Sequence, residues 1–219
     1  MKRTVLFVVF LMLGIGVLKS QGIRFGIIAN PEVSWMGADI KSIENSGTRL
    51  GFNVGMTMEN YFAENYAFVT GISICGQGGK LSYTEDSLVY MVHSDQISIP
   101  AGSKVDYKLQ YVEIPVGLKF KSNEIGYVTF FAKLGFTGQF NIKARATDSQ
   151  KNLEDDNISE EINLLNLGYH FGGGIEYSLG ANTALVVGIT YTNGFLDVTS
   201  RSKDKVTLNK VSLHLGVMF

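Results

Sequence analysis

From residue 22 onwards, large apolar side chains recur at every second position. This is the spacing of a β-strand whose two faces meet different surroundings. The C-terminal stretch shows it best. Val211, Leu213, Leu215, Val217 and Phe219 fall on one face, and Ser212, His214, Gly216 and Met218 on the other. The same alternation runs through residues 23–30, 50–59, 68–75, 112–120, 128–137, 167–177 and 185–191. That makes about eight segments, each near the ~10 residues that a tilted strand needs to cross a bilayer. No helical period follows residue 21, and no apolar run there is long enough to span a membrane as a helix. In lipid every backbone N–H and C=O must find a partner within the protein, which a closed barrel achieves and an open sheet does not. The pattern therefore predicts an all-β fold, an eight-stranded antiparallel up-and-down transmembrane β-barrel.

The second face is mostly Gly, Thr and Ser with a few charges, and small residues suit the interior of a narrow barrel. Tyr61, Tyr66, Tyr127, Tyr177 and Tyr191 fall near strand ends, where an aromatic girdle would lie. A soluble, lipocalin-like ligand-binding barrel has the same alternation with its faces exchanged, and it stands as the alternative. Connection lengths also alternate. Residues 35–48, 79–105, 142–161 and 194–205 read as long polar loops of 14, 27, 20 and 12 residues. Residues 62–65, 121–126 and 178–182 read as turns of 4, 6 and 5 residues. Outer-membrane barrels have short periplasmic turns and longer external loops. A first strand running outward gives a long first connection, and an even strand count returns Phe219 to the periplasmic side.

The first residues change the picture from a barrel to an exported barrel. Lys2 and Arg3 precede an uncharged apolar run, Val5 to Val17, which ends at Lys19-Ser20-Gln21. The run is short for a membrane-spanning helix and has the form of a secretory signal. Residues 1–20 are read as a signal peptide cleaved near Ser20–Gln21, with a signal anchor as the alternative, and residues 21–219 as the barrel domain. No Cys follows the run to accept a lipid. Cleavage would remove three of the 19 Lys and Arg and none of the 20 Asp and Glu, leaving a net charge of −4. That argues against a nucleic-acid partner. Cys75 is the sole Cys, so no intrachain disulfide forms.

Several motifs in order resemble one family. Arg49-Leu-Gly-Phe-Asn-Val-Gly-Met56, Tyr66-Ala-Phe-Val-Thr-Gly-Ile-Ser-Ile74 and Gly76-Gln-Gly-Gly-Lys80 look like strands two and three of the PorT-like barrels of Bacteroidetes. Tyr111-Val-Glu-Ile-Pro-Val-Gly-Leu-Lys119 resembles the family's fourth strand, and Phe171-Gly-Gly-Gly-Ile-Glu-Tyr177 its sixth. Phe219 resembles the C-terminal aromatic read by the barrel-assembly machinery, which makes it a candidate assembly signal. The resemblance covers residues 21–219. It implies an OmpX-like eight-stranded barrel in the outer membrane and no single activity. The family's namesake takes part in type IX secretion and gliding.

Arg24, Glu59, Glu113, Lys119, Lys133 and Glu176, with His170 and His214, fall on the small-residue face and are read as a polar network in the lumen. Charges there need partners or water. A plug of ion pairs is the structural reading, and a narrow ion path the functional one. Ser212, His214 and His170 share that face and could build a lipid-modifying hydrolase, like the outer-membrane lipid A deacylases, but their register points them away from lipid. His93-Ser94-Asp95 are adjacent in sequence, so they point apart and lack triad spacing. Gly172-Gly-Gly174 lies within a strand rather than before a helix, which fits barrel curvature and not a phosphate loop. Leu153-Glu-Asp-Asp-Asn157 reads as a solvated external loop. No catalytic, cofactor-binding or metal-ligating set is identified. The leading expectation is a non-enzymatic outer-membrane barrel that acts through external loops or stabilises the envelope. The rivals are an accessory of a secretion or gliding apparatus and a lipid-modifying enzyme. Expected partners are outer-membrane lipid, the barrel-assembly machinery and an envelope or secretion protein.

Overall fold

The computed structural model describes residues 22–90, 96–150, 153–180, 182–200 and 205–219. The expected signal peptide and His93-Ser94-Asp95 lie outside the described residues. The described residues form twelve strands: β1 (Gly22–Ala38), β2 (Ile43–Gly47), β3 (Arg49–Ala63), β4 (Tyr66–Tyr83), β5 (Ser87–Tyr90), β6 (Gln96–Ile99), β7 (Lys104–Lys121), β8 (Val128–Asp148), β9 (Glu154–Asn157), β10 (Leu165–Gly180), β11 (Thr183–Gly194) and β12 (Val206–Met218). Eight of them close a ring in the order β1-β3-β4-β7-β8-β10-β11-β12, with β12 pairing back onto β1 and every pairing antiparallel. This is the closed eight-stranded barrel that the alternation predicts.

The apolar face points outward. Leu50 is 82% exposed, Phe136 67% and Ile189 61%, within a belt that runs around the whole barrel. A water-facing wall of this kind would be a large aggregation-prone surface, whereas lipid is its natural solvent. Aromatic rings border the belt. Phe62, Tyr66, Phe68 and Phe120 cluster at the end with the short turns, beside Tyr127 and Tyr177. Trp35, Phe171 and Tyr191 cluster at the other. Tyr61 departs from the girdle expectation. It shares the inward parity of Glu59 on β3, is 7% exposed, and donates its hydroxyl to Glu59 Oε2 at 2.7 Å.

β1 outlasts the alternation read from the sequence, because it continues through Pro31. A proline has no N–H for the ladder. The β1–β12 register pauses between Ile28↔Gly216 and Glu32↔Ser212, and the Asn30 side-chain oxygen accepts the Leu215 N–H at 3.0 Å. The strand thus passes a residue that would otherwise end it and carries Glu32 into the lumen.

Three of the four stretches read as long polar loops are partly strand, whereas the described residues of 194–205 hold only the last residue of β11, Gly194. β1 runs to Ala38, β4 to Tyr83, β7 starts at Lys104 and β8 runs to Asp148, while β2 pairs with β4 and β9 with β8. The barrel wall therefore continues beyond the lipid belt. Its lining changes there. Met36, Leu81, Tyr83, Val105, Tyr107, Leu109, Tyr111, Ala144, Ala146, Val206 and Leu208 form a buried apolar core, capped by Ile99, Leu153, Ile158, Ile162 and Val198. Lys104, Lys108, Lys143 and Arg145 take the outward positions. The physical reason is the solvent. Within lipid the wall is apolar outside and polar inside; above it, water reverses both preferences.

Candidate functional site

The lumen is built from side chains that the strands deliver at every second position. Nearest the short turns, Lys119 lies between two carboxylates. Its Nζ is 2.5 Å from Glu59 Oε1 and also pairs with Glu176. Lys121 and Arg24 reach Glu176 Oε2 at 2.7 and 3.1 Å. Higher in the lumen, Lys210 Nζ lies 2.6 Å from Glu113 and 3.3 Å from Glu32. Gln139 and Asn53 donate to Glu113 at 2.8 and 3.3 Å, Asn166 donates to Gln139 at 2.8 Å, and the Ser212 hydroxyl donates to Glu32 at 3.2 Å. Of the residues read from the sequence, Arg24, Glu59, Lys119 and Glu176 thus share one cluster and Glu113 sits in another.

The remaining three line a cavity of about 80 Å³ between the clusters. His170 Nδ1 shares a 2.8 Å hydrogen bond with Thr137. His214 packs edge-on against Phe131, whose face also meets the Lys119 ammonium at 4.6 Å from the ring centroid. Lys133 makes no hydrogen bond or ion pair among the described residues. The volume holds a few waters. Phe219 is exposed at the short-turn end, where its backbone exchanges hydrogen bonds of 2.8 and 3.0 Å with Phe25.

Glu32, Lys121 and Lys210 were missed from sequence. Glu32 and Lys210 lie just beyond the ends of the alternating stretches, Glu32 past Pro31 and Lys210 before Val211. Continuing the count of two would have placed both inside. Among the described residues no His stands on Ser212 to complete a Ser–His pair. The hydroxyl of Ser212 faces Glu32, while His214 faces Phe131. Among the described residues no group of three or more His, Cys, Asp or Glu could hold a metal ion.

A second charged constellation lies outside the lipid belt, on the outer wall. The segment read as a solvated acidic loop is β9, and its Asp155 lies 2.9 Å from Lys108 Nζ and 2.5 Å from Arg145 Nη1. Asp155 adopts φ 60°, a left-handed conformation that Asp tolerates, to span both cations. Lys108 and Arg145 face each other across the β7–β8 pair, so a carboxylate between them offsets a like-charge contact. Hydrogen bonds from Lys108 and Arg145 hold the Asp155 carboxyl down to about 2, from an ordinary 3.8. A carboxyl with a lowered pKa stabilises the folded arrangement above its unfolded value, and that contribution is lost as pH falls through the folded value. The docking of β9 is therefore expected to be intact above about pH 4 and to weaken between about pH 4 and pH 2. A titration of the Asp155 carboxyl carbon by NMR should show its midpoint near 2. A midpoint at the ordinary value would mean that the two cations do not hold it.

The chain matches the family described as "Outer membrane protein beta-barrel domain" over residues 12–215. Among solved structures it is similar to Neisserial surface protein A, at 14% identity and a TM-score of 0.56, over 91% of this chain and 97% of that one. It is also similar to Ail of Yersinia pestis, solved with the heparin analogue sucrose octasulfate, at 18% identity and a TM-score of 0.46, over 91% and 100% of the two chains. OprG of Pseudomonas aeruginosa follows at 10% identity and a TM-score of 0.45, over 90% and 94%. No curated protein matches by sequence. At these identities the structures speak to the fold alone. The family match spans nearly the whole chain and agrees with the closed ring and its apolar outer wall: this protein belongs to the outer membrane protein β-barrel domain family and resides in the outer membrane.

Proposed function

We propose that this protein is a sealed, non-enzymatic outer-membrane barrel that acts through the outer surface of its extracellular extension. The observation that carries this reading is the filling of the lumen. Two ion-paired clusters and an apolar core stack along its length, with a cavity of about 80 Å³ between the clusters. A solute path would need these layers to part, which costs buried ion pairs their partners. The separation of Ser212 from His214 speaks against hydrolysis. Within the family, the motifs from Arg49 to Lys80 and from Tyr111 to Lys119 favour the PorT-like group of Bacteroidetes. The same reading has residues 1–20 removed on export and Phe219 presented to the barrel-assembly machinery.

The full chain, purified and inserted in planar bilayers in molar KCl, is expected to give no stepwise conductance. Outer-membrane lipid mass profiles should be unchanged when Ser212→Ala replaces the wild type. Discrete conductance steps would overturn the sealed lumen. A change in acylated species would overturn the non-enzymatic reading.

A further inference from the structure

A groove of about 650 Å³ crosses the outer wall where the lipid belt meets the extracellular extension. Its lower lining is apolar and outward-facing: Leu50, Phe52, Val54 and Ile74. Its upper lining is ionic: Arg49, Lys108, Lys143, Arg145 and Asp155. Arg49 also pairs with Asp106 at 2.9 Å. Four cations against two carboxylates leave a net charge of +2 on a chain whose formal net charge is −1. Glu154 and Asp156, the neighbours of Asp155 on β9, are not part of the lining. Lys143 makes no ion pair among the described residues. On the β1–β12 side of the barrel the residues at this level are neutral: Trp35 and Asn209, paired in register, with Tyr191 and Asn193 beside them. At this level the cations of the groove thus stand away from the β1–β12 seam.

The backbone opens the groove. The β3–β4 ladder stops at Phe52↔Gly76, and β4 is next paired by β2 at Lys80↔Gly47. In the gap, the Gly78 N–H turns to the Ser34 hydroxyl at 2.9 Å. Gly78 is required there. A Cβ would stand 2.0 Å from the Tyr107 carbonyl oxygen, a clash with backbone, and 3.2 Å from Arg49 Cδ, so the arginine stem passes over the glycine on its way to Asp106.

We infer that this groove binds a phosphorylated glycolipid of the outer leaflet, with its phosphates on Arg49, Lys108, Lys143 and Arg145 and its acyl chains against Leu50, Phe52, Val54 and Ile74. Lys108, Lys143 and Arg145 stand on β7 and β8, and the Arg49 guanidinium reaches over β4 from β3 to Asp106 on β7, so the cations gather on the β7–β8 side of the groove. Guanidinium and ammonium groups at a membrane surface attract anionic headgroups, and Arg supplies the paired donors that phosphate oxygens accept. The apolar strip directly below gives the chains of the same molecule a continuous wall. The inference rests on the outer-membrane placement and not on the sealed lumen, so conductance or hydrolysis would leave it standing.

The test is native mass spectrometry of the detergent-solubilised full chain with bisphosphorylated hexa-acyl lipid A as the probe. One lipid is expected to be retained per barrel. Each cation removed should weaken retention roughly fivefold, so Arg49→Gln/Lys143→Gln should weaken it about 25-fold. Lys41→Gln/Lys205→Gln, on exposed lysines outside the groove, should change nothing. All variants should keep heat-modifiable gel mobility, which separates lost binding from lost folding. Equal retention of dephosphorylated lipid, or equal loss in both double variants, would overturn the assignment. Binding of inorganic phosphate as tightly as lipid A would overturn the lipid as its occupant.

Discussion

Lys119→Met is expected to destabilise the barrel by about 3–5 kcal/mol, because it strips a buried carboxylate of its cation. Lys119 is 3% exposed and links Glu59 to Glu176. Glu176 would retain Lys121 and Arg24, but Glu59, also 3% exposed, would retain only the Tyr61 hydroxyl. The double variant Glu59→Gln/Lys119→Met removes both members of the pair and should recover more than half of the loss, since removing a whole buried pair is far milder than orphaning one member. Urea unfolding in lipid vesicles can be followed on Trp35, the sole Trp of the chain. A loss under about 1 kcal/mol for the single variant would identify a well-hydrated cluster, in which ion pairs contribute little.

The parts of this structure that the sequence exposes are those where one solvent acts on each face over many residues. Lipid favours Phe and Leu at Phe130, Leu134 and Phe136, while the narrow lumen favours small residues such as Thr129, Gly135 and Thr137 on the other face, so a period of two survives along the spanning strands. The extension beyond the lipid belt obeys the same period with its parity reversed, so the alternation does not run unbroken from one zone into the other. On β7 the apolar residues are Val105, Tyr107, Leu109 and Tyr111, then Val112, Ile114, Val116 and Leu118. The strand does not turn over at Tyr111; the medium outside it changes from water to lipid. That one-residue step in the apolar parity is the available signal, and β12 shows it again between Leu208 and Val211. The lumen charges could be assigned to a face but not to partners. Lys119 meets Glu59 across 60 positions and Glu176 across 57, and such pairings follow from strand register, which connection lengths alone do not determine.

Gly174→Val is expected to abolish formation of the barrel. Gly174 and Gly188 face each other in the β10–β11 register. A Cβ on Gly174 would stand 2.2 Å from the Val187 carbonyl oxygen and 2.5 Å from the Gly188 Cα, contacts with backbone that no rotamer can relieve. The two strands would have to part. In a soluble sheet, water would take over the freed N–H and C=O groups; in lipid nothing does, so the ladder cannot open locally. The cost should exceed the roughly 1–3 kcal/mol of ordinary overpacking. Gly76→Ala is the matched control. It sits on β4 of the same ring, and a Cβ there meets no atom within 4 Å. Its stability should stay within about 0.5 kcal/mol of the wild type. The readout is gel mobility without heating after refolding into detergent. Gly76→Ala should give the compact band and Gly174→Val only the unfolded one. A compact, heat-modifiable Gly174→Val protein would mean that β10 and β11 can widen their spacing within the closed ring, and the close approach of those strands would then be incidental to closure.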